Sequence, residues 1–224
     1  MTIATPNGRV LAYVVMALLP TIVCAEQLRI PVVADNSIVL HHAELDINQG
    51  RNSQIRIKGN QHIVAMNFDW SALKGLTVKR ATLVCRKGRV EIAGLTISTI
   101  QSPWNESQST ALTSGVSAFK GWGWPGGLFP ALCGGNSFSR LCQSPSRLND
   151  GWYHWRVEPD LVHACAIGSA YGLALHEWDV DYSRNPTIYS REQGNSRPYL
   201  LVETGPSERA PAVPKLMQDA EQRL

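Results

Sequence analysis

Past residue 25 the sequence has no apolar run near the roughly 20 residues that a membrane-spanning helix needs, so no helical span is expected in the body of the chain. It has no Cys-x-x-Cys pair, and no cysteine stands at finger-like spacing from a histidine, which removes the common zinc frameworks. Cys165 follows His163 by two residues, a spacing that by itself specifies nothing. No Gly-x-Ser-x-Gly stretch frames a serine, so the nucleophile elbow of a hydrolase is missing. His41-His42 with Glu44 and Asp46 has the composition of a metal or acid/base cluster, yet its setting is that of a polar loop. The chain therefore reads as a non-catalytic protein.

Carboxylates are also scarce in one long stretch. Between Arg51 and Arg89 stand nine basic residues and a single acidic one, Asp69. Between Glu158 and Glu192 the balance reverses, with six acidic residues against Arg184 and Arg191. Segregation of that size sets up a local field although the formal net charge is only +3. With no extreme of charge, nucleic acid is not an expected partner.

Residues 1–25 have the pattern of an export signal. Arg9 supplies the positive start, Val10 to Val23 is apolar but interrupted by Pro20, and Ala25 suits cleavage. Lipidation at Cys24 is the rival reading, opposed by the bulky Val23 before it. The expected location is secreted or in the cell envelope. Cleavage would leave 20 basic residues against 18 acidic ones, net +2, and four cysteines. An even number in an exported chain favours disulfides. Cys133 joined to Cys142 closes a small loop, a crosslink worth up to about 2–3 kcal/mol. A bridge between Cys85 and Cys165 would account for the rest, although sequence allows other pairings.

The remaining chain is long enough for one domain with a proper core. Val64, Met66, Phe68 and Trp70 recur every second residue, with Ala65, Asn67 and Asp69 between them. Ala81, Leu83 and Cys85 alternate in the same way with Arg80, Thr82 and Val84. Two such strands need a facing sheet, which predicts an all-β sandwich. Further strands are expected over Leu28–Val33, Ser37–Leu40, Gln54–Lys58, Val90–Ile92, Gly94–Ile100, Trp152–Val157, Leu173–Trp178 and Tyr199–Val202. A helical turn is expected over Pro159–Ala166. From Ser102 to Asp150 regular patterning fails, which marks a long loop, functional or stapled. Residues 205–224, with Pro206, Pro211 and Pro214, are expected to form a loose tail.

The order of motifs carries a resemblance. Ala34-Asp35-Asn36-Ser37 is followed by Ile55-Arg56-Ile57, Met66-Asn67-Phe68-Asp69-Trp70-Ser71-Ala72-Leu73 and Val78-Lys79-Arg80-Ala81-Thr82-Leu83. Then come Trp104-Asn105-Glu106, Tyr171-Gly172-Leu173-Ala174-Leu175, Tyr189-Ser190-Arg191-Glu192 and Arg197-Pro198-Tyr199-Leu200-Leu201-Val202. Over residues 28–204 this resembles the DNRLRE domain, a jelly-roll β-sandwich of secreted bacterial proteins related to carbohydrate-binding modules. The hexapeptide that names that family is not intact here. The resemblance implies two antiparallel sheets and a non-catalytic module, some members of which bind acidic polysaccharide.

Arg56, Lys58, Arg80 and Arg86 stand at outward parity on their strands and are candidates for one basic sheet face that takes carboxylate or sulfate. The plain alternative is a solvated face whose charges discourage edge-to-edge association. Trp122 and Trp124 are candidates to offer indole faces to sugar rings, or else to tuck their loop onto the sandwich. Glu177, Asp179 and Asp181 near Asn185 have oxygens that suit calcium, but no EF-hand spacing; no cofactor is expected. The first reading is thus a secreted module for acidic polysaccharide. The second is a structural or adhesive envelope protein that engages a protein partner.

Overall fold

The computed structural model describes residues 26–117, 121–123, 127–133, 140–178 and 181–206. The expected export signal with Cys24, the candidate Trp124, Asp179 and the chain beyond Pro206 lie outside the described residues. In chain order the elements are β1 (Glu26–Val39), β2 (Gln54–Arg56), β3 (His62–Phe68), β4 (Leu76–Arg86), β5 (Gly94–Thr99) and α1 (Leu128–Leu132). They continue with β6 (Leu141–Pro145), β7 (Arg147–Asn149), β8 (Trp152–Val157), α2 (Pro159–Ala166), β9 (Leu173–Glu177), β10 (Thr187–Tyr189) and β11 (Tyr199–Pro206).

Nine strands form one antiparallel sheet in the order β6-β5-β9-β3-β1-β11-β4-β8-β7, and β2 pairs with β10 in a small second sheet. The large sheet folds over along β1. Residues Glu26 to Pro31 of that strand pair with β11, whereas Val32 to Val39 pair with β3, and the register shifts between Val32 and Ala34 at the handover. The two halves then face each other across one core. Val64, Met66 and Leu175 come from one side and Leu83, Trp155 and Val202 from the other, all buried in a single cluster. The helix α2 closes that core with Leu161, Val162 and Cys165. The all-β, two-layered antiparallel architecture expected from the alternating strands is the one observed.

Polar residues misled the strand boundaries. Asp35-Asn36 interrupts the apolar pattern and suggests two entry strands, yet β1 runs straight through. Both side chains are fully buried and each has a partner elsewhere in the fold, although Asp35 Oδ1 has none. The Asn36 amide donates to the Ser109 carbonyl at 2.9 Å, and Asp35 Oδ2 accepts from the Arg191 backbone N–H at 2.7 Å. The expected strand at Val90–Ile92 does not form; the Ile92 N–H donates to the Tyr153 hydroxyl at 2.8 Å instead.

The unpatterned stretch after Ser102 contains α1, β6 and β7 and builds a second apolar layer. Ile38, Ile63, Ala65 and Ala174 point away from the main core, on the outer face of the β3 half-sheet, and are covered by Ile100, Trp122, Ala131 and Leu132. This explains why Ala65, placed at outward parity by the sequence, is fully buried. Trp122 is 2 % exposed and its Nε1–H donates to the Thr110 carbonyl at 3.0 Å. It therefore holds the loop down and offers no face to a ligand. Trp104 has a similar task, donating to the Tyr171 carbonyl at 3.0 Å.

The expected disulfides are not present. Cys85, Cys133, Cys142 and Cys165 are free thiols. The reason for the first pair is geometric: Cys142 belongs to the main core, whereas Cys133 packs against the outer cluster, so the sheet stands between them. Cys85 and Cys165 are both buried in the main core without being joined. Burial pushes the Cys133 thiol up to about 11 and the Cys165 thiol to about 12, and raises Cys85 as well. Thiolate is the reactive form, so these groups behave as small apolar side chains. Alkylation followed by peptide mapping should modify Cys133, the most exposed of the four, first, and Cys85 only on unfolding. Recovery of a Cys133–Cys142 linked peptide would overturn this arrangement.

Candidate functional site

The hairpin that joins β2 to β3 builds a charged concavity on the described surface. Lys58 and His62 form a bridge in which the Lys58 N–H donates to the His62 carbonyl at 3.1 Å, and Gly59 takes a left-handed φ of 46° to close the turn. The small β2–β10 sheet supports the other side, with Arg56 paired to Thr187. A 3-10 turn, His42–Glu44, adds Glu44 to the lining. Together with Tyr182, the side chains of Arg56, Lys58, His41 and His62 line a cavity of about 330 Å³.

The two cations are held differently. Lys58 is only 8 % exposed, against the outward position its parity suggested, and its Nζ donates to Asn185 Oδ1 at 3.1 Å. Arg56 is exposed and its Nη1 lies 3.4 Å from His62 Nε2. The Ser37 hydroxyl donates to the Arg56 carbonyl at 2.7 Å, so its oxygen is left to accept from His62 Nδ1 at 3.3 Å. That chain assigns the Nδ1–H tautomer and turns the Nε2 lone pair toward the guanidinium. Burial first, then the charges of Arg56 and Lys58, lower the His62 pKa to about 4. The ring is therefore neutral near pH 7 and orients Arg56 without adding to its repulsion. Among the described residues neither Arg56 nor Lys58 forms an ion pair.

The other basic candidates do not join this site. Arg80 and Arg86 stand on β4, six residues apart, a span of about 20 Å along a strand. Arg80 is exposed and pairs with Glu203 at 3.6 Å, a surface contact of small worth. Arg86 donates to the Asp150 carbonyl at 2.8 Å, and its guanidinium lies 5.6 Å from the Trp152 ring. It braces the turn between β7 and β8. The single basic face expected from parity is thus divided, and only Arg56 and Lys58 converge.

Nothing in the local sequence joins Tyr182, His62 and His41 into one site. Tyr182 reaches Asn60 across 122 positions, its hydroxyl donating to Asn60 Oδ1 at 2.8 Å, and no local pattern announces such a contact. His41, one of a His-His-Glu-Asp group whose setting in the sequence is that of a polar loop, lines the cavity. No group of three or more His, Cys, Asp or Glu side chains able to hold a metal occurs among the described residues. Of the oxygens considered for calcium, Asp181 accepts from the Ser183 N–H at 2.9 Å and the Ser183 hydroxyl at 2.6 Å. No helix among the described residues is long and apolar enough to cross a membrane. Compared with models of known protein families and with curated proteins, the chain matches none.

Proposed function

We propose that this protein is a secreted or envelope-associated, non-catalytic module that binds acidic polysaccharide, with the Arg56–Lys58 cavity receiving the anionic group. The observation that carries this reading is the convergence of two cations, neither with an ion-pair partner among the described residues, on one polar concavity. Arginine offers a planar fork for a carboxylate or sulfate, and lysine beside it a compact charge. Glu44 is the one carboxylate of the lining and biases the site against small anions that make no other contact. The resemblance to the DNRLRE domain leads to the same ligand class.

The test is a binding titration of immobilised polyuronate and sulfated glycans beside neutral ones. Arg56→Gln removes the fork from an exposed position and should leave the melting temperature close to wild type. It should weaken binding of the acidic glycan by about ten-fold or more, since hydrogen bonds to charged groups are worth about 1.5–3 kcal/mol. Wild-type binding should also weaken with added salt, because exposed charges are screened over about 8 Å at physiological ionic strength. Unchanged affinity in Arg56→Gln would refute the assignment.

A further inference from the structure

A second cavity, of about 340 Å³, adjoins the first and shares Tyr182 with it. Two large aromatic side chains border it while remaining exposed, Trp178 at 40 % and Tyr182 at 49 %. Isolated exposed aromatics are ordinary, but these two are fixed in place. The Trp178 N–H donates to the Gly94 carbonyl at 3.1 Å, and its indole lies against the Gly94 backbone. A Cβ at Gly94 would stand 2.8 Å from Trp178 Cε3 and 2.9 Å from Cζ3, so the close approach requires glycine. The Tyr182 ring is tied through its hydroxyl to Asn60, as described above.

The same lining includes a residue with an unpartnered polar atom. His176 lines the cavity, and its Nε2 is buried with no hydrogen-bond partner. Leaving such an atom unsatisfied costs about 1–3 kcal/mol, so a small turn of the ring that brings Nε2 to a partner in the cavity is favourable. Burial lowers the His176 pKa, which keeps the ring neutral. A hydroxyl, able to donate or accept, satisfies Nε2 in either tautomer. Asn60, Thr96 and Gln143 add neutral hydrogen-bonding groups to the same lining, and Glu177 adds its one carboxylate, which favours hydroxyls over an acidic group. Aromatic faces for an apolar C–H surface, combined with neutral groups for hydroxyls, match the two sides of a pyranose ring.

We infer that the cavity bordered by Trp178, Tyr182 and His176 is a subsite for an uncharged face of a sugar ring, next to the ring whose acidic group enters the Arg56–Lys58 cavity. The ligand is then a chain of at least two residues, bridged at Tyr182. The inference rests on the glycan-binding reading for its ligand class, while the lining of the aromatic subsite holds no lysine or arginine for an acidic group. The two are therefore separable.

The experiment uses uronic acid oligosaccharides and their carboxyl-reduced, neutral counterparts, titrated into the full chain labelled at its indole nitrogens. The neutral oligosaccharide should shift the Trp178 indole resonance, weakly and without salt dependence. Arg56→Gln should leave that shift and its midpoint unchanged. Trp178→Ala, at an exposed position, should weaken binding of the neutral ligand ten-fold or more and remove the gain in affinity from longer acidic chains. Gly94→Ala should give the same loss by displacing the indole. A neutral oligosaccharide that leaves the Trp178 resonance unmoved, or binds Trp178→Ala as well as wild type, overturns the subsite. If the acidic chain still binds through Arg56 in that case, the cation cavity stands alone. Binding of the neutral chain with no preference for the acidic one supports the subsite and removes the cation assignment.

Discussion

Phe68→Ala is expected to destabilise the protein by about 3–5 kcal/mol, read as a fall in the denaturant midpoint. Phe68 ends β3 at 2 % exposure, inside the main core, with its ring centroid 5.3 Å from that of Trp70 in an edge-on arrangement. Truncation removes the transfer energy of the ring, leaves a cavity and deprives Trp70 of its neighbour. Asn67, next along the strand, is the internal control. Its Oδ1 accepts from the Trp70 indole at 2.7 Å and the Phe68 N–H at 3.0 Å, so Asn67→Ala loses hydrogen bonds at a half-buried place. A cost of about 1–2 kcal/mol is expected there. Equal losses in the two variants would mean that the facing of β3 is not as described.

The second large effect is a pH dependence centred on Asp35. This carboxyl is fully buried, and burial is the main cause that raises its pKa to about 7; the nearby Glu106 charge acts in the same direction, against the Arg191 N–H bond. Glu106 is itself held by Arg191, at 2.6 Å to Nε and 2.5 Å to Nη2, and accepts from the Asp35 N–H at 2.7 Å. The folded pKa lies above the unfolded one, so the folded state binds more protons in between. Stability from Asp35 is full below about pH 4 and is lost as pH rises through about 7, an amount on the order of 4 kcal/mol. His62 works in the opposite sense. Its folded pKa is lowered to about 4, so its contribution is present above its unfolded pKa and is lost as pH falls through 4.

The two windows overlap, and the wild-type curve should look flatter than either group alone would make it. The informative quantity is the difference between Asp35→Asn and wild type. It should move in favour of the variant by about 4 kcal/mol between pH 4 and pH 8, measured by denaturant unfolding at each pH. A difference that does not change with pH would show that Asp35 is ionised in the folded state.

The site and the fold were legible to different depths. Alternation in β3 and β4 announced the main core because a half-buried strand writes its facing into every second residue. Lys58 broke the same rule: its parity puts it outward, but the β2–β3 hairpin and Asn185 enclose it. Parity assigns a side of a strand and carries no information about what later chain will cover that side. The same limit explains Ala65 and Trp122, which the long loop buries on the face that the sequence leaves to solvent.

The alternating strands, the Pro159 helix and the imbalance of charge between the two halves of the chain follow from the sequence itself, since each depends on near neighbours and on local preferences. Tertiary structure alone decided which basic residues meet. It sends Arg80 and Arg86 to separate partners on β4 and brings Arg56 and Lys58 to Tyr182. It also decided that the cysteines remain thiols, because the sheet separates Cys133 from Cys142 although only eight residues lie between them. Those outcomes depend on the fold of β1 across both halves of the sheet, and that geometry is a property of long-range pairing which no local stretch of residues encodes.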